Sequence, residues 1–207
     1  MREIVCQMMT SLNGRVDDPG AFVTGVAGDQ YEDIDAAYAN FDTVIVGRTT
    51  YQEMVAYWPG VLAASAADGA HARMAQRMHD CRKVVLTRSA SFRPDWHNAE
   101  AAVVRGDADL LALAAGLKAA SGRTIHLAGG AMAAQAFARL GLVDAYRLYV
   151  YPVLSPGKAL FADIEDRVAF AAAESRRFSN GVTLLDLRGS RASAQRDAPA
   201  SFDALIA

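Results

Sequence analysis

Apolar positions along this chain fall into two alternating rhythms. Short continuous runs such as "EIVCQMM" (3–9), "TVIVG" (43–47) and "KVVLT" (83–87) have the length and branched side chains of strands, the last two buried on both faces. Between them lie stretches with helical spacing. "YEDIDAAYANF" (31–41) places Ile34, Ala37 and Tyr38 on one side. "RTTYQEMVAYW" (48–58) reads as a helix halted by Pro59-Gly60, and "DGAHARMAQRMHD" (68–80) as another. The alternation continues with "AAVVRG" (101–106) as strand, "DADLLALAAGLKAAS" (107–121) as helix and "TIHLAGG" (124–130) as strand and turn. "AMAAQAFARLG" (131–141) is a helix closed by Gly141, and "AYRLYVYPVL" (145–154) a strand rich in Tyr and Val. The segment 168–189 divides at Asn180-Gly181, a strong hairpin signal. A Gly- and Asp-rich loop fills 10–30, and residues 190–207 form a tail in which "SFDALIA" suggests a short docked helix.

Strands alternating with helices, followed by an antiparallel hairpin, predict an α/β three-layer sandwich with a mixed, mostly parallel sheet. There is no internal repeat, and 207 residues suffice for one domain over 1–189 with a tail from 190.

Composition narrows the partners. With 52% hydrophobic and 21% charged residues the chain is too apolar for disorder. A net charge of −2 argues against a broad nucleic-acid or anionic-membrane surface, so any anion site must be local. No apolar run reaches the length of a signal core or a membrane span. Cys6 and Cys81 form no CxxC and read as small buried hydrophobes, in keeping with a reducing cytoplasm. His71 and His79 stand two turns apart on one helix, and His97 and His126 lack partners, so no metal site is expected. No nucleophile motif of the GxSxG kind occurs.

Ligands of such sheets bind beyond the carboxyl ends of the strands, and three turns there carry suitable chemistry. In "VGRTTYQEM", Gly47, Arg48, Thr49 and Thr50 put a guanidinium and two hydroxyls at a helix start, where free N–H groups attract phosphate. In "VVLTRS", Thr87, Arg88 and Ser89 end a strand with two hydroxyls and a cation, a combination suited to the 2′-phosphate of an NADP-type dinucleotide. In "LAGGAMAAQAF", Gly129 and Gly130 let the backbone approach a pyrophosphate, with the amides of Ala131 and Met132 aimed at it.

With "SLNGRV", "VGRTTYQEM…YWP", "HLAGGAMAAQAF" and "DAYRLYVYPVLSPGKALF" in this order, the chain resembles the dihydrofolate reductase-like family over Met1 to Gly189. Within it the resemblance is to the branch of the reductase domain of the riboflavin biosynthesis protein, as a stand-alone member. That resemblance implies NADPH binding, hydride transfer to a C=N or C=O group of a pterin- or pyrimidine-like molecule, and a homodimer. It implies that the three turns hold the cofactor's phosphates and ribose, with the Asn13-Gly14 loop along the nicotinamide. Two departures matter. The substrate-contacting glutamate of that branch is matched by Ala128, and the zinc deaminase motif of its partner domain is missing. The chain is therefore not expected to make the riboflavin precursor.

Folate reductases use a first-helix carboxylate to supply a proton, for which Glu32, Asp33 and Asp35 are candidates here, Asp33 foremost. Tyr151, at the end of its strand beside Pro152, is a second candidate donor, and Tyr57 and Trp58 are candidate pocket walls. Two alternatives stand beside the reductase reading: a non-catalytic NADP-binding dimeric module, and a true dihydrofolate reductase.

Overall fold

A computed structural model describes residues 1–64, 69–162, 164 and 168–189. The helix expected over 201–207 lies outside these residues.

Eight strands form one sheet in the order β4-β3-β2-β5-β1-β6-β8-β7. They are β1 (Ile4–Ser11), β2 (Phe41–Gly47), β3 (Arg82–Thr87), β4 (Ala99–Val103), β5 (Thr124–Gly129), β6 (Ala145–Tyr151), β7 (Phe170–Arg177) and β8 (Thr183–Gly189). The pairings among β1 to β6 are all parallel; β8 runs antiparallel to both β6 and β7. This is the mixed, mostly parallel sheet that the alternating pattern predicts. The continuous apolar runs belong to its centre, where Val44, Ile45 and Val46 of β2 are fully buried.

Helices cover both faces. α4 (Asp107–Ala119) and α5 (Ala131–Arg139) lie on one side, where Leu110, Leu117, Ala134 and Phe137 pack against Ile45, Val84, Ile125 and Leu127. α1 (Gly28–Tyr38), α2 (Arg48–Ala64) and α3 (Ala70–Asp80) lie on the other. There Tyr51 and Met78 meet Val44, Val46 and Val85, and Ile34 meets Tyr149 and Tyr151. Alternate residues of one strand thus feed two cores, as the period of two requires.

Gly141 ends α5 as expected. At φ +64 it donates its amide to Ala138 O, while Leu142 N reaches Phe137 O, the paired bonds of a Schellman cap. The Asn180-Gly181 turn joins β7 to β8, with Gly181 at φ +84. α2 departs from expectation, because it runs through Pro59-Gly60 to Ala64. A proline removes its own amide donor and crowds the carbonyl one turn back, and Met54, Val55 and Trp58 offset that cost by anchoring the preceding turns on the core. Phe41, the last residue of the stretch read as helical, opens β2 instead. Cys6 is wholly buried, and burial pushes its thiol up to about 12; both cysteines are free thiols.

Candidate active site

Parallel register puts the ends of neighbouring strands at one rim. Gly47 pairs with Leu86 of β3 on one side, and Val46 with Gly129 of β5 on the other. The chain then turns directly into α2 at Arg48 and into α5 at Ala131. A cleft of about 620 Å³ opens between these helix starts and the loop after β1.

The paired glycines are explained by closeness. Gly129 sits at φ +101, and a Cβ on it would stand 3.0 Å from Met8 Cε. A Cβ on Gly130 would stand 2.9 Å from Thr50 Oγ1 of the neighbouring turn. Gly47 faces the same turn, its Cβ position 3.6 Å from Gly130 N. Gly130 is thus the residue whose missing side chain lets its turn close on the Thr50 turn, whereas Gly129 is hemmed in by Met8 and a Cβ on Gly47 would make only ordinary contacts. The Gly129–Gly130 peptide bond is cis.

Gly47, Arg48, Thr49, Thr50, Gly130, Ala131 and Met132 all line the cleft, whereas Gly129, expected there with Gly130, does not and packs against Met8. No side chain caps α5, whose N-cap is Gly130, so the first amides of the helix face the cleft without a side-chain acceptor. The Arg48 guanidinium lies 4.7 Å over the Phe92 ring.

Thr87, Arg88 and Ser89 do not line the cleft. They lie one strand farther along the same rim, where Thr87 Oγ1 accepts from Ser89 N at 3.1 Å and Arg88 is exposed. Phe92 links them to the cleft, its amide donating to Ser89 O while its ring carries Arg48. Asn13 and Gly14 also stay outside. Asn13 fastens the β1 loop to the loop after β6, donating to Ser155 O at 2.9 Å and accepting from Ser155 N. The loop reaches the cleft through Val16, Asp17 and Pro19 instead.

Neither candidate proton donor reaches the cleft. Asp33 Oδ2 accepts from Arg147 at 2.7 Å and from the Tyr149 hydroxyl at 2.8 Å, and Asp33 Oδ1 from Arg176 at 3.3 Å. Glu32 pairs with Arg73, and Asp35 with both Arg73 and Arg77. For Asp35, partial burial raises the carboxyl pKa, but bonds from Arg77 and Arg73 outweigh it and hold the group ionised below its usual range. Helix phase explains two of these placements: Tyr31, Ile34 and Tyr38 occupy the face toward the cleft, and Glu32 and Asp33 fall on other faces. Asp35, one turn after Tyr31, is on the same side and is instead held by Arg73 and Arg77 of α3. Tyr151 is fully buried, taking a bond from Gln30 Nε2 and donating to Gly25 O. Tyr149, two residues earlier on the same strand face, lines the cleft in its place.

Sequence reasoning missed Tyr31, Glu53, His71 and Met74, which also line the cleft. Their signal was helical spacing: Tyr31 with Ile34, Glu53 with Tyr57, and His71 with Met74. Trp58 and Tyr57 line it as expected, and so does Ala128.

Residues 2–184 match the family model of the RibD C-terminal domain. The chain belongs to that family. The uncharacterized protein YyaP of Bacillus subtilis is 27% identical over 186 residues, covering 87% of this chain and 92% of that one. Among solved structures, a putative riboflavin biosynthesis protein from Shewanella sp. PV-4 superposes with a TM-score of 0.63 at 18% identity, over 91% of this chain and 99% of that one. Dihydrofolate reductase from Enterococcus faecalis, solved in complex with NADP(H), gives a TM-score of 0.57 at 11% identity, over 90% and 95% of the two chains. The fold is dihydrofolate reductase-like.

Proposed function

We propose that this RibD C-terminal domain protein is an NADPH-dependent reductase acting on a C=N or C=O group of a pterin- or pyrimidine-like small molecule. One observation carries the reading. Two helix starts and a side-chain-free turn converge on one cleft, making a cradle of amide donors that a Cβ would fill. The enterococcal reductase, with the same fold, holds NADP(H), which supports the same cofactor here.

In this reading the amides of Gly130, Ala131 and Met132 bind the pyrophosphate, and the hydroxyls of Thr49 and Thr50 complete its hydrogen bonds. Arg48 adds a cation whose guanidinium is held by Phe92. Thr87, Arg88 and Ser89, one strand outward on the Arg48 flank, receive the adenosine 2′-phosphate. When bound, NADPH supplies the hydride; the protein contributes position, exclusion of water and electrostatics. The homodimer implied by the family resemblance belongs to the same proposal.

The test is turnover. Purified protein mixed with NADPH and a panel of pterins, pyrimidines, imines and quinones is expected to oxidise the cofactor with at least one of them. Binding of NADPH without oxidation of any panel member would support the non-catalytic module instead. Inhibition by a methotrexate-type antifolate would favour true dihydrofolate reduction.

A further inference from the structure

β3 and β4 run parallel, yet the residues that join them form no helix. Segment 88–98 returns from the cleft rim to the opposite end of the sheet as irregular chain, so its backbone groups need side-chain partners. Its Phe92 and Trp96 join Val44, Val46 and Val85 in one apolar cluster on the α2 and α3 side.

Two buried side chains supply those partners. The Tyr51 hydroxyl accepts from Trp96 N at 2.8 Å and from Asp95 N at 3.1 Å, and donates to Asp95 Oδ1 at 3.3 Å. Burial raises the phenol pKa, so the group keeps the proton it gives to Asp95. At the far end of the segment Lys83 Nζ donates to the carbonyls of His79, Cys81 and His97 at 2.6, 2.9 and 3.0 Å, and lies 4.3 Å over the Trp96 ring.

Tyr51 stands one turn after Arg48 on α2, hence on the same side of the helix. Phe92 touches both. The Arg48 guanidinium lies 4.7 Å over its ring, and the Tyr51 ring meets it at 86° with centroids 6.1 Å apart. The Phe92 amide donates to Ser89 O at 3.4 Å, closing the turn that follows Arg88. Neither Tyr51 nor Phe92 lines the cleft. The Tyr51 hydroxyl thus holds the segment, and the segment holds the ring that seats one arginine and ties down the turn of the other.

We propose that Tyr51 and Phe92 are positioning residues that set the spacing between Arg48 and Arg88, and so select a dinucleotide bearing a 2′-phosphate without touching it. The inference rests on the reductase reading, which gives these two arginines to the cofactor's phosphates. One ligand engages both cations fully only when their separation is fixed before it binds, because a site that must be ordered on binding loses affinity.

Isothermal titration of the full-length protein with NADPH and NADH, beside amide exchange and urea unfolding of the free protein, tests this. Tyr51→Phe keeps the ring and leaves the Asp95 and Trp96 amides without their acceptor. Exchange at those two amides is expected to rise at least about tenfold. The preference for NADPH over NADH should fall about fivefold, with NADH affinity within about twofold of wild type. Phe92→Leu, a second variant, removes the seat of Arg48 and should weaken both nucleotides about fivefold while lowering the preference as well. Lys83→Met loosens the same segment at its other end. It should lower the urea midpoint and leave the preference within about twofold, which separates positioning from general destabilisation.

An unaltered preference in either ring-site variant that folds would overturn the proposal, and so would a fall of equal size in Lys83→Met. Wild type that binds neither nucleotide would remove the reductase reading and this proposal with it. Wild type that prefers NADPH, with the preference unaltered in Tyr51→Phe, would remove the proposal alone.

Discussion

Gly129 has φ +101 and Met8 Cε 3.0 Å from the place its Cβ would occupy, so Gly129→Ala meets both backbone strain and contact. The substitution is expected to destabilise the fold by about 1–2 kcal/mol, read from the urea midpoint. Gly130 differs, with an ordinary φ of −64 and Thr50 Oγ1 2.9 Å away. Gly130→Ala should therefore leave stability within about 1 kcal/mol of wild type while weakening nucleotide binding about tenfold. A glycine pair in a sequence does not reveal which partner serves the backbone and which the site; the neighbouring turns do.

His126 makes a second prediction at this scale. Its ring is fully buried, stacked on Phe41 at 4.9 Å, with Nε2 3.2 Å from Gln7 O. Burial pulls its pKa down from 6.5 to about 4, against the opposing bond to Gln7 O. The unfolded chain then binds the proton more readily than the folded one. Its contribution is fully present above pH 6.5 and is lost as pH falls toward 4, by up to about 3 kcal/mol. Urea unfolding at pH 7 and at pH 4.5 should show a smaller difference for His126→Gln than for wild type. Equal differences would contradict the assignment.

Among the elements, α2 shows where local rules yield to packing. Pro59 removes the amide that would bond Val55 O, yet the helix continues for five more residues. Pro59→Ala should restore that bond and raise the unfolding free energy by about 1–3 kcal/mol; an unchanged urea midpoint would show that the helix is already broken there in solution. The strands were legible because a central parallel strand must be apolar on both sides, and β2 and β3 could be nothing else by length. The end of α2 was not, because a Pro-Gly pair is a stop signal until core contacts outweigh it. On α1 the existence of the helix was legible but the use of its faces was not. Glu32, Asp33 and Asp35 point to arginines contributed by α3, β6 and β7, elements 38 to 143 residues away in sequence, which local spacing cannot reveal.

For the whole molecule, the parallel sheet brings together residues that the sequence lists far apart. The turns after β2 and β5 join in one cleft, as the repeated strand–turn–helix pattern implied. The turn after β3 stands one strand outward because the order is β3-β2-β5, and strand order is the quantity that a pattern of elements leaves open. The cleft consequently has an amide-rich end near Arg48, proposed to hold the dinucleotide, and a ring-lined end near Trp58. Isothermal titration of wild type, Arg48→Ala and Arg88→Ala with NADPH and NADH tests that assignment most directly. Wild type is expected to bind NADPH at least about tenfold more tightly than NADH, Arg48→Ala to lose about tenfold with both, and Arg88→Ala to lose the preference alone. No binding of NADPH to wild type, or unaltered affinities in Arg48→Ala, would contradict it.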